Sequence, residues 1–248
     1  MEVHAHTHTE RKKWTHYLWE FIMLFLAVFC GFMAEYQLEH KIEKDREKQY
    51  IKSMILDLET DTAVFRQQVE NAHYALTQLD TLINLLDLPV RTESQEQQIY
   101  FLGRISSRII PFYYLHDQTY DQMKSSGNLR LFHSHNIAEE IAEYYSNKNY
   151  IDIQNGILVN RQTILIESLK KVFNSSVFHK MQDILTTNTS PPSGNPPLFS
   201  NDKSLINELI GSIHYFSTVG AVNTNNIEKV NKEGAALINF IKKEYHLK

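Results

Sequence analysis

The chain has a single cysteine, Cys30, in 248 residues, so no disulfide within the chain can staple its fold. Glycine and proline are scarce as well, at 8 and 6, which argues against the turn-rich connections of a β-sandwich or barrel. No stretch of any length alternates apolar and polar residues as a strand does, and no internal repeat is evident. A basic excess is missing too. The net charge is −4, so the chain lacks the cationic surface that holds a phosphate backbone, and nucleic acid is not an expected partner. Metalloprotease HExxH, the GxSxG elbow, the Walker A loop and the dinucleotide fingerprint are all absent. With them go the commonest enzyme classes. No catalytic residue and no cofactor is assigned, and the expectation is a protein that is not an enzyme.

What is present begins with one long hydrophobic run. From Phe21 to Ala34 the chain reads FIMLFLAVFCGFMA without a charge. Extended to Tyr17 and Tyr36 it is about 20 residues, or ~30 Å of helix, which matches a bilayer core. Trp14, Tyr17, Trp19 and Tyr36 supply interfacial aromatics at both ends. Signal-peptide cleavage after Ala34 needs a small residue where Phe32 stands, and a lipoprotein site at Cys30 needs one where Phe29 stands. A buried core helix would carry a polar face, and this run has none. The reading is an uncleaved anchor in a bacterial inner membrane. Arg11, Lys12 and Lys13 precede it, as in a signal anchor, while Lys41, Lys44, Arg46 and Lys48 follow it. The expected orientation is N-terminus cytoplasmic and the trailing domain periplasmic. Glu20, Ala27, Gly31 and Ala34 fall near one face of the span. Ala27 and Gly31 are a small-xxx-small pair, which makes this a face for a transmembrane partner. Glu20, with His16 one turn away, either joins that face or snorkels to the boundary.

Four regions follow from this patterning: a His-rich basic tail (1–16), the anchor (17–36), a charged neck (37–50) and a helical domain (51–248). The fold class is all-α, with a long amphipathic stalk helix continuing into an antiparallel helical bundle. Ile51, Ile55, Leu58, Thr62, Phe65, Val69, Ala72, Leu76, Leu79, Ile83 and Leu86 recur at alternating spacings of four and three, and Pro89 stops that helix. Met54, Ala75 and Leu82 widen the stripe on one side, as expected for a helix inside a bundle. Extrapolated backwards, the seam carries Lys41, Lys44 and Lys48. That disfavours a parallel homodimer through this helix. Further helices are expected over 94–110, 117–126 with Gly127 as a left-handed cap, from Asn136 onward, and over 149–173, where Ile151, Leu158, Leu165 and Val172 repeat every seven residues. Two last helices carry Leu205, Leu209, Ile213 and Phe216, and then Ile227, Val230, Leu237 and Ile241. The Pro/Gly/Ser-rich stretch 186–201 reads as an exposed loop.

Histidine is the unusual residue, at 12. His4, His6 and His8 are weak metal candidates, since a tail offers no preformed site. His133 and His135 supply two ligands at most. Glu70 and His73 have the ExxH spacing of di-iron bundles, but a second such motif is missing after the anchor. In the segment HDQTYDQMKSSGNLRLF, Tyr120, Lys124, Asn128 and Arg130 form a candidate polar pocket beside Phe112, Tyr113 and Tyr114. The competing reading is a capped helix with Leu129, Leu131 and Phe132 in the core.

MEVHAHTH, RKKWTHYLWEFIMLFLAVFCGFMAE, TYDQMKSSGNLRLF and the following EYY (Glu143, Tyr144, Tyr145) together resemble an uncharacterised family of membrane-anchored proteins common in Bacteroidota. The resemblance implies a bacterial envelope protein and carries no catalytic residue with it. It also makes Asp61-Thr62-Ala63 and Asp80-Thr81-Leu82 look like the O-glycosylation pattern of that lineage, although Thr62 falls on the apolar seam. The function expected from all this is a membrane-anchored scaffold or accessory subunit. Its partners are the lipid bilayer and another membrane or envelope protein, with a homo-oligomer left open. The alternative is a periplasmic ligand-sensing domain that signals through a partner membrane protein. An enzyme with an unfamiliar site is the third reading, marked by a pocket joining Tyr120, Lys124 or Arg130 to a histidine.

Overall fold

A computed structural model describes residues 13–183 and 188–247. His4, His6 and His8 lie outside the described residues. The chain is all-α: α1 (Trp14–Leu86), α2 (Glu93–Ser106), α3 (Gln118–Ser125), a 3-10 turn (Asn128–Leu131), α4 (His135–Val172), α5 (Ser175–Lys180) and α6 (Lys203–Glu244). Among the described residues, strand pairing is limited to one isolated bridge between Gln182 and Thr189. Two compact units divide at Tyr50/Ile51.

In the first unit α1 is long and apolar enough to cross a membrane. Its best window has a mean hydropathy of 2.0 and is 0% buried. Phe21, Phe25 and Phe29 stack along one side at 6.4 and 6.0 Å. His16 Nε2 lies 3.2 Å from Glu20 Oε1, one turn away. Ala27, Gly31 and Ala34 are exposed, and a Cβ on Gly31 would meet nothing within 4 Å.

In the second unit α1 is a core helix. Ile51, Leu58, Phe65, Ala72, Leu79 and Leu86, seven residues apart, are buried. Val69, Leu76 and Ile83 are only half-buried, whereas Met54, Ala75 and Leu82 are fully buried. The core face is therefore turned toward the column 54, 61, 68, 75, 82, in which Asp61 and Gln68 stand among apolar residues. At the far end, Arg91 Nη2 donates to Leu86 O at 2.7 Å, satisfying a terminal carbonyl ahead of the break at Pro89. α2 starts on a capping box between Thr92 and Gln95. α6 starts on Asp202, whose carboxylate accepts from the Ser204 and Leu205 amides. Leu79, Leu82, Tyr100, Leu165, Phe173 and Phe216 join α1, α2, α4 and α6 in one apolar cluster.

Several element boundaries differ from the sequence reading. The helices expected from Asn136 and over 149–173 are one, α4, capped at Ser134 rather than Asn136. The last two expected helices are also one, α6, running unbroken through the polar run Asn223–Asn226. That run has no proline or glycine. Thr224 and Asn226 return their side chains to the carbonyls of Gly220 and Val222, so the helix keeps its backbone ladder. Gly127 is left-handed as expected, at φ +69°, and it leads into the 3-10 turn. α5 carries no periodicity that a sequence reading could detect. The stretch read as an exposed loop is pinned instead: Gln97 donates to Gly194 O, Tyr100 to Pro197 O, and Pro192 is buried. Its prolines leave carbonyls without neighbouring amides, and α2 supplies donors for them. Thr62 is buried with its hydroxyl donated to Leu58 O and Glu59 O, so it is closed to glycosylation in the folded domain.

Candidate functional site

Between α2 and α3 the chain crosses the domain without regular structure, and Ile110 and Tyr113 are buried there. A buried non-helical segment must find partners for its amides and carbonyls. Four elements supply them. Asn155 of α4 pairs with both backbone groups of Tyr113, donating to its oxygen at 2.7 Å and accepting from its amide at 3.4 Å. Gln68 Nε2 donates to Phe112 O at 3.3 Å, and Gln162 Nε2 to Ser107 O at 2.6 Å. The Tyr113 hydroxyl lies 3.1 Å from Thr224 Oγ1 on α6.

Asp61 ends this strap. Its carboxylate is 0% exposed; it accepts the His116 amide at 3.1 Å and the His116 ring Nδ1 at 2.5 Å. Tyr144 OH donates to the same carboxylate at 3.4 Å, and Tyr145 OH donates to His116 O at 3.2 Å. One turn earlier on α1, Asp57 accepts from Thr119 at 2.5 Å. Burial raises the Asp61 carboxyl above its usual range, and the bonds from His116 pull it part of the way back. Burial, then the charge of Asp61 or Asp57, pushes Tyr144 and Tyr145 far above the ordinary phenol range, so both stay protonated as donors. The Asp–His couple is therefore a latch on its own backbone. Asp61 and Gln68 had no functional reading in the sequence, although their place in an apolar heptad column is a detectable signal.

Beside the latch a cleft of about 390 Å³ opens between α3 and α4, lined by Asp117, Tyr120, Asp121, Lys124, Tyr145 and Lys148 among others. Tyr120 stacks on Tyr145 with centroids 4.6 Å apart and planes at 11°, and the Lys124 ammonium sits 5.8 Å over Tyr120. Lys148 pairs with Asp117, which holds its ammonium above the usual range. Of the four residues proposed to share a pocket, Tyr120 and Lys124 line this cleft. Asn128 and Arg130 are on the 3-10 turn and do not line it, and no histidine does. His73 contacts Glu228 of α6 at 2.7 Å, and His135 contacts Glu139 at 2.9 Å. Among the described residues no group of three or more His, Cys, Asp or Glu side chains is placed to hold a metal.

α4 carries a second feature. Its contacts with α6 form a ladder whose numbers run in opposite senses: Asn147 with Glu233, Tyr150 with Asn226, Arg161 with Tyr215, Ser168 with Ser212 and Lys171 with Glu208. On α4 one apolar face, Ile151, Leu158, Leu165 and Val172, is buried. Another, Tyr150, Ile153, Ile157 and Ile164, stands 40, 52, 39 and 42% exposed. At ~100° per residue the two faces are centred roughly 110° apart. Next to the bare face α6 presents Tyr215 and Val222, also exposed. Compared with protein-family models, with curated proteins and with solved structures, the chain matches none.

Proposed function

We propose that the chain is a membrane-tethered helical scaffold or accessory subunit of a bacterial envelope, without catalytic activity of its own. In this reading the apolar run of α1 anchors it in the inner membrane with the N-terminus cytoplasmic. The stalk of α1 feeds an antiparallel bundle in the periplasm, and α4 docks a protein partner. The single observation that carries the reading is the second apolar face of α4. A helix apolar on two sides is normally covered on both, and here one side is bare. Exposed contiguous apolar surface of this kind marks association sites. The test is the mass of the full chain extracted in mild detergent, compared with Ile157→Asp. Wild type is expected in an assembly larger than a monomer that the substitution dissolves; monomers in both refute the reading.

A second reading, a ligand-sensing domain, rests on the cleft at Tyr120 and Tyr145. Its volume is that of a small-molecule site, and its two lysines and three aspartates offer both charges to a zwitterion. A thermal-shift series with amino acids and short amines tests it, because a ligand of the folded state raises the melting temperature by mass action. A flat series, with Tyr120→Ala melting no differently in its presence, refutes it.

A further inference from the structure

We propose that the partner docked on the bare face of α4 is a second copy of this chain, packed in parallel and in register. The proposal rests on the reading of α4 as a docking surface and adds its occupant. The bare face is a heptad seam: Tyr150, Ile153, Ile157, Asn160 and Ile164 follow alternating spacings of three and four, the repeat that lets two helices interlock side chains. The regularity is confined to the exposed side of a helix whose opposite flank is already satisfied, so packing within the monomer does not require it.

Three observations select a second copy. First, the seam is self-complementary. Asn160, exposed at its one polar position, meets Asn160 of the other copy in a parallel pair, where each amide offers both a donor and an acceptor. A single polar residue in such a seam is a device for setting register and strand number. Second, identical faces here do not repel. None of the five seam positions is ionisable, and Asn149, Gly156 and Thr163 along one edge are uncharged. Gly156 also leaves open space, since a Cβ there would meet nothing within 4 Å. The α1 seam lacks this property, because its extension carries Lys41, Lys44 and Lys48.

Third, the area fits a tethered pair. Four half-exposed aliphatic side chains and the tyrosines at 150 and 215 present on the order of 400 Å² per copy. A stable interface between free proteins buries about 800 Å² per partner. The seam alone is too small for tight association in solution. Two copies anchored the same way in one bilayer are held parallel, and tethering raises their effective concentration to roughly the millimolar range. Membrane confinement thus supplies the association that the area does not.

The experiment is a cysteine walk on the full chain in native membranes, in a Cys30→Ala background. Single cysteines at 153, 157, 159, 160, 163 and 164 are oxidised and read as disulfide-linked dimer. The expected pattern is strong dimer at 153, 157, 160 and 164 and at least tenfold less at 159 and 163, with Ile157→Asp abolishing the product from Asn160→Cys. Uniform cross-linking at all six positions overturns the pairing. To catch other occupants, a photoreactive residue replaces Ile153 in the same membranes. An adduct with a different protein overturns the second copy while leaving α4 as the docking surface. Absence of any adduct in either assay overturns both.

Discussion

His116→Ala and Asp61→Ala remove opposite ends of the same contact, and the structure makes their costs unequal. Asp61 is 0% exposed and His116 is 49% exposed. Removing His116 leaves a carboxylate in the interior with only the residue-116 amide and Tyr144 to hold it. Stranding a buried charge in this way costs roughly 3–5 kcal/mol, here at the lower end because the amide bond survives. Removing Asp61 instead leaves a ring that can hydrate, so the cost is about 1–3 kcal/mol, from the orphaned Tyr144 hydroxyl and the His116 amide. The double variant is expected to resemble Asp61→Ala, because no charge remains to be stranded. Linkage supplies an independent check. Burial raises the Asp61 carboxyl, so its contribution to stability is complete below the unfolded value of 3.8 and is lost as pH rises through the folded value. Without His116 the carboxyl rises further. The gap between wild type and His116→Ala should therefore be widest at pH 7 and close toward pH 4, while Asp61→Asn removes this dependence. Urea unfolding of the detergent-solubilised chain, followed by circular dichroism across that range, measures both effects. If Asp61→Ala proves costlier than His116→Ala, or the gap grows in acid, the latch argument is refuted.

Asn155→Ala orphans the amide and the carbonyl of Tyr113 in the interior and should cost about 2–4 kcal/mol, read as a lower urea midpoint with unchanged slope. Asn223 is 0% exposed, and neither of its amide atoms has a hydrogen-bond partner among the described residues. Asn223→Leu, of similar size, should then raise stability by about 1–2 kcal/mol; a loss would place a partner there. A Cβ on Gly103 would lie 2.4 Å from Phe173 Cζ, whereas one on Gly211 meets nothing within 4 Å. Gly103→Ala should lower the melting temperature, by about 1–3 kcal/mol of overpacking, and Gly211→Ala should raise it by roughly 0.5–1 kcal/mol. Reporters fused after Lys248, one active only in the periplasm and one only in the cytoplasm, test the topology. Signal from the cytoplasmic reporter overturns the proposed orientation.

The apolar run 21–34 and the heptads of 51–86 were legible because each is long, periodic and uninterrupted, and periodicity is a property of the chain alone. The same physics made the helical class readable. It also placed the cap at Gly127, where a left-handed backbone excludes most side chains. Helix ends were less legible. Ser134, Asn136, Asn147 and Asn223 all have the chemistry of a break, and whether such a residue caps, turns or returns its side chain to the preceding turn depends on what packs beside it. The pinning of 188–201 and the strap around Tyr113 were not legible for the same reason: a backbone group's need for a partner is local, but the partner comes from elsewhere in the chain. Asp61 meets His116 across 55 residues, and Asn155 meets Tyr113 across 42. α4 shows the division within one element. Sequence spacing sets both of its seams, Ile151–Leu158–Leu165–Val172 and Tyr150–Ile153–Ile157–Ile164, but burial alone decides which is satisfied and which is left for a partner, and burial belongs to the tertiary structure.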